Sequence, residues 1–219
     1  EVAPVKGSYP CPISVTIDTD TLDGAPHFTG RVIRGVKNGP SPAWLQAQLK
    51  AIGLRPISAL VDITNFFTYD QNRPLHVFDA DKVKGGLRVH RAKGCEELLA
   101  LDEKTYRFGA GHMVISDENG PESIAGIMGG EETGCTDETV NVFLESAWWD
   151  PVQIAYTGRD LKIHSDARYR FERGVDPEFT RDGLEAATQM ILDLCGGEAS
   201  DVVEAGAALK TARSYSLNP

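Results

Sequence analysis

The chain has 219 residues, 41% hydrophobic and 25% charged, a composition that excludes disorder and collagen-like repeats and suits one large domain or two small ones. No apolar run reaches the ~18 residues that a membrane-spanning helix needs. With 32 acids against 22 bases the formal charge is −10, which weighs against a general nucleic-acid binder, because phosphate contact takes Lys and Arg in excess over the footprint.

Residue 1 is Glu, and EVAPVKGSYPCP reads neither as a signal nor as a transit peptide, so the expectation is a piece cut from a longer protein. Residues 1–25 read as a lead-in carrying a first strand at Ile13 to Ile17, where apolar and polar residues alternate, followed by a turn-rich loop from Asp18 to Pro26. RVIRGV at 31–36 predicts a second strand. Ser41 as N-cap and Pro42 at the first helical position then open a helix with Leu45, Leu49 and Ile52 on its apolar face and Gly53 at its end. PISALVDITNFFTYDQ (56–71) mixes β-branched residues with helical spacing. It is read as a helix burying Ile57, Leu60, Val61, Ile63 and Phe67. Short strands are predicted at 87–91, 112–116, 124–128 and 140–146, separated by glycine and acidic turns. Asp150-Pro151 starts a helix with Val152, Ile154, Ala155 and Leu161 as its apolar residues. A longer helix runs from Pro177 to Leu194 with Phe179, Leu184, Ala187, Ile191 and Leu194 inward, and Gly196-Gly197 stop it. A last strand is placed at 201–206, and 207–219 reads as a linker and the start of a following domain. A sheet-rich middle between helices is an α+β pattern.

The cysteines at 11, 95, 135 and 195 form no CxxC and no Cys/His cluster, so no structural zinc is expected and the thiols read as reduced, cytoplasmic ones. Asp18, Asp20 and Asp23 loosely suggest a calcium loop, but the twelfth position is Thr29 rather than a bidentate Glu. GxxxxGK[ST], HExxH, GxSxG and GxGxxG are all absent.

Three segments are more specific. They are VDITN (61–65) followed by PLHVFD (74–79); AGIMGG (125–130) followed by LESA (144–147); and HSDARYRFERGVDP (164–177). Together and in this order they resemble the B3/B4 editing region of the β subunit of bacterial phenylalanyl-tRNA synthetase, over roughly residues 26–206, with AGIMGG and RFERGVDP the most specific parts.

The resemblance implies a three-layer β/β/α sandwich and hydrolysis of tyrosine wrongly attached to tRNA(Phe). A phenylalanine pocket cannot strongly reject a substrate that merely adds a hydroxyl, so a second site corrects the error by hydrogen-bonding that hydroxyl. By resemblance, Glu145 reads the phenol, His76 orients the attacking water or the scissile ester, and Thr64 and Asn65 position water and the terminal adenosine. Gly126 and Gly129 let backbone approach the ligand, and Ser165 (where relatives commonly carry Thr) and Ala167 form the remaining wall. Residue chemistry alone favours reading Glu145 as a solvated strand-end acid and His76 as a loop-packing histidine; the resemblance is what turns both towards the site. Arg159, Lys162, Arg168, Arg170 and Arg173, interspersed with Asp160, Asp166 and Glu172, read either as salt-bridged residues or as guides for the tRNA 3′ end. No metal or cofactor is implied in this region, ATP and Mg2+ being expected only at the separate synthetic site. The implied partners are the tRNA(Phe) 3′ end, its tyrosine moiety and the synthetase α subunit, with no membrane. The alternative is a non-catalytic scaffold or tRNA-binding module, inactive outside the full synthetase.

Overall fold

In the computed structural model, which describes residues 2–209 together with Ser214 and Ser216, two sheets and a helical layer are stacked. The expected linker and following strand at 207–219 lie largely outside the described residues.

The outer sheet has the order β1 (Val15–Ile17), β4 (Leu87–Arg91), β7 (Met113–Ser116), β8 (Pro121–Ile124) and β9 (Met128–Gly129), with β1 parallel to β4 and the other neighbours antiparallel. The central sheet contains β11 (Glu198–Ala199), β2 (His27–Arg34), β10 (Asn141–Trp148) and β3 (His76–Asp79), and β12 (Val203–Gly206) also pairs with β2. A hairpin of β5 (Glu97–Leu99) and β6 (Thr105–Arg107) stands beside them. The helices are α1 (Ala43–Ala51), α2 (Ala59–Asp70), α3 (Pro151–Asp160), α4 (Asp166–Phe171) and α5 (Phe179–Cys195).

The period of two along the central strands divides the core. Phe28, Val32, Phe78, Phe143 and Ala147 face the outer sheet and pack with Val89, Val114, Ile124 and Trp149. Ile33, Val77, Val142 and Leu144 face the opposite way, onto Leu60, Ile63 and Phe67 of α2 and Leu184, Ala187 and Ile191 of α5. This is the expected β/β/α sandwich. The lead-in is stitched to it, since the Ser8 N–H donates to the Ala199 carbonyl and Arg31 donates to the Val5 carbonyl.

Several elements differ from the sequence reading. Strand β2 begins at His27 rather than Arg31, because β10 and β12 satisfy its backbone on both edges from that point. Pro42, not Ser41, caps α1, and the Ser41 hydroxyl donates instead to the buried Asp62 carboxylate. Ile57 lies outside α2 and is exposed, as is Val152 on α3. The 124–128 segment is no single strand: it breaks at a turn holding Gly126 at φ +69°. The apparent calcium loop is a short 3-10 turn whose Asp18 and Asp23 pair with Arg88 and Arg91.

Candidate functional site

A pocket of about 340 Å3, including its open mouth, lies between the two sheets where β3 and β10 meet the AGIMGG turn. Its walls bring together Pro74, Leu75, His76, Ser123, Gly126, Ile127, Met128, Gly129, Glu145, Ala167 and Phe171. Five of the eight expected site residues are therefore on one surface.

Strand pairing sets the central pair. β10 runs antiparallel to β3 with Glu145 opposite His76, so the two side chains project to the same face, the one carrying Phe78 and Phe143. β10 continues to Trp148, which places Glu145 inside the strand rather than at its end. Glu145 is 5% exposed, and its Oε2 has no hydrogen-bond partner. The Nε2 of His76 is likewise buried and unpartnered. Burial raises the Glu145 carboxyl to about 8 and lowers the His76 imidazole to about 4. At neutral pH the pocket thus presents a carboxylic acid and a neutral imidazole. Each can donate or accept a hydrogen bond and neither carries charge.

The two glycines make this arrangement possible. A Cβ on Gly129 would stand 2.3 Å from His76 Cε1, and one on Gly126 would stand 2.6 Å from Trp149 Cδ1. Gly129 lets the imidazole lie against β9, and Gly126 lets the turn settle over the indole.

Ser165 acts through the wall it builds. Its hydroxyl caps α4 by accepting from the Arg168 N–H at 3.1 Å and donates to the Ile127 carbonyl at 2.7 Å. That bond ties α4 to the AGIMGG turn and carries Ala167 and Phe171 onto the pocket wall. Thr64 and Asn65 sit on α2, in the helical layer, and do not line this pocket. Thr64 is buried and its hydroxyl donates to the Val61 carbonyl.

Sequence reasoning missed Arg73. It is fully buried, directly precedes Pro74-Leu75-His76, and donates to the Ala147 carbonyl at 3.1 Å and to the Asp176 carbonyl. Desolvation lowers its guanidinium to about 10. Gly183 makes room for it, since a Cβ there would meet Arg73 Cγ at 2.9 Å. Trp148 Nε1 donates to the Val175 carbonyl at 3.0 Å. The PLHVFD, LESA and RFERGVDP segments are thus fastened to one another by Arg73 and Trp148. The signal in the sequence was an Arg directly ahead of the Pro74-Leu75-His76 motif.

Among the five basic residues considered as guides, Arg168 is structural: its guanidinium binds Glu172, the Gly158 carbonyl and the Ile163 carbonyl. Arg170 stacks on Tyr69, and Arg173 on Tyr169. Among the described residues no helix is long and apolar enough to cross a membrane.

The comparisons with known proteins agree with this geometry. Residues 24–196 match the family described as B3/4 domain. The chain is 74% identical over 216 residues to the phenylalanine–tRNA ligase beta subunit of Ruegeria pomeroyi and 67% identical over 219 residues to that of Cereibacter sphaeroides. These alignments cover 99% and 100% of the chain but 27% of each relative, so the chain spans about a quarter of the length of these relatives. A solved N-terminal fragment of the phenylalanyl-tRNA synthetase beta subunit from Pyrococcus horikoshii shares the fold. It has a TM-score of 0.50 at 14% identity, with 78% of this chain and 53% of that one covered. Family match, fold and the assembly of the three motif segments around one pocket lead to one conclusion: the chain belongs to the B3/4 domain family.

Proposed function

We propose that this chain is the editing module of a phenylalanyl-tRNA synthetase β subunit and that its pocket hydrolyses tyrosyl-tRNA(Phe). A water oxygen attacks the ester carbonyl, the bond from that carbon to the ribose oxygen breaks, and a proton from the water passes to the departing ribose oxygen, leaving free tyrosine and a ribose hydroxyl. His76, neutral and unpartnered at Nε2, orients the water or the ester, and Glu145 exchanges hydrogen bonds with the phenol. The observation that carries this reading is the opposed pair Glu145 and His76, each with a buried polar atom lacking a partner, on the wall of one pocket. A phenol satisfies Glu145, whereas the phenyl ring of phenylalanine leaves it unpaired at a cost of about 1–3 kcal/mol. Positioning and desolvation supply the rate, and this region uses no metal or cofactor of its own. In the full enzyme, ATP and Mg2+ serve the separate synthetic site, the α subunit and tRNA(Phe) are the partners, and the setting is the cytoplasm.

The test is release of tyrosine from tyrosyl-tRNA(Phe) by this chain and by His76→Ala. The parent chain hydrolyses the ester and the variant is slower by about 10²-fold. No hydrolysis by the parent chain at high enzyme concentration would refute catalysis by this region alone and favour a binding module.

A further inference from the structure

Helix α4 has two working faces. Ala167 and Phe171 line the pocket already described, while Tyr169, between them in sequence, projects away from it into a second groove. That groove is open, about 610 Å3, and is lined by His164, Ser165, Asp166, Arg168, Tyr169 and Glu172. Tyr169 is 57% exposed. The Arg173 guanidinium covers one face of its ring, 3.7 Å from the centroid, and is itself half exposed while bonded to Glu172 and to the Tyr169 carbonyl. The ring is therefore held in one orientation with its remaining surface open to the groove.

Tyr69, at the end of α2, is held differently. Its hydroxyl donates to Asp166 at 2.7 Å and Arg170 lies 4.2 Å over its ring, so it braces α2 against α4 and offers less free surface. Of these two aromatics packed on α4, Tyr169 is the more available.

We propose that Tyr169, backed by Arg173, is a stacking platform for the RNA base immediately 5′ of the terminal adenosine whose ester occupies the pocket. This rests on the editing reading above. A helix rises about 1.5 Å and turns about 100° per residue, so Tyr169 lies only about 3 Å along the axis from Ala167 and Phe171 but on the opposite side of α4. A strand leaving the pocket reaches it by passing over the start of the helix, where Ser165 lines the second groove and bonds Ile127 of the pocket wall. Aromatic stacking tolerates any base, and a cation on the opposite ring face holds the ring in place. The interspersed Asp160, Asp166 and Glu172 leave little net charge for gripping phosphates. That favours recognition by stacking over an electrostatic grip, in a chain of formal charge −10.

The experiment compares two esters on the parent chain and on Tyr169→Ala and Tyr169→Trp: 3′-O-tyrosyl-adenosine, and a tyrosylated RNA minihelix ending in CCA. Tyr169→Ala raises KM for the minihelix about tenfold, leaves kcat within about twofold, and leaves the adenosine ester unchanged. Tyr169→Trp restores the minihelix KM. Equal losses on both esters, or none on either, overturn the platform. A separate arm follows the aromatic resonances of Tyr169 and His164 while the ribotrinucleotide CCA is added. Shifts of both rings in the parent chain, with the His164 shift lost in Tyr169→Ala and kept in Tyr169→Trp, support the platform even if the parent chain hydrolyses neither ester, a result that would sink the editing reading alone. An absence of shifts at millimolar trinucleotide would sink the platform alone.

Discussion

At the scale of single residues, the site depends on two groups kept neutral by burial. Glu145 titrates near 8 in the folded chain against about 4.5 when unfolded. Between those values the folded state holds a proton that the unfolded state has lost, so stability falls as pH rises from about 5 to 8. Glu145→Gln removes that term. Chemical denaturation across this range should show the variant gaining on the parent chain by roughly 2–4 kcal/mol as pH rises. A constant difference would mean that Glu145 is ionised in the folded state. Gly129→Ala tests the imidazole. Its Cβ would need the space that His76 Cε1 now occupies at 2.3 Å, and a displacement near 1 Å costs about 10²-fold in rate. The expected outcome is a large fall in kcat for tyrosyl ester with a small change in melting temperature.

At the scale of elements, much of the architecture was legible and the exceptions have physical causes. A long amphipathic pattern gave α5 close to its observed bounds, α2 emerges from a segment whose period is ambiguous between strand and helix, and the Asp150-Pro151 start of α3 is capped by the Asp150 carboxylate. Strand β3 was hidden because Pro74 and His76 suggest a turn; only the pairing with β10 makes it a strand. Helix α4 was hidden because six mostly polar residues carry no usable period, and its bond from Ser165 to Ile127 joins segments far apart in sequence. Motif resemblance brought His76, Gly126, Gly129, Glu145 and Ala167 to one pocket, whereas Thr64 and Asn65 remain on α2, away from its wall. Arg73 fastens those motifs without belonging to the expected set. Arg73→Met leaves the carbonyls of Ala147 and Asp176 unpaired. Thermal unfolding should show a loss of roughly 2–4 kcal/mol, and Arg73→Lys should recover part of it. An unchanged midpoint for Arg73→Met would remove Arg73 from the frame of the site.

At the scale of the whole molecule, the three layers explain where the pocket sits. The sheet-to-sheet core closes around Phe28, Phe78, Phe143 and Trp149, and the pocket opens at the end of that core where small residues replace large ones. The net charge of −10 is compatible with a region that grips little RNA, consistent with a surface offering one aromatic platform and few unpaired cations beside the pocket. The most direct test of the account is the ratio of hydrolysis rates for tyrosyl- and phenylalanyl-tRNA(Phe), measured for the parent chain and for Glu145→Ala. The account predicts a strong preference for the tyrosyl ester in the parent chain that falls by about tenfold or more in the variant. A preference that survives the loss of Glu145 would contradict it.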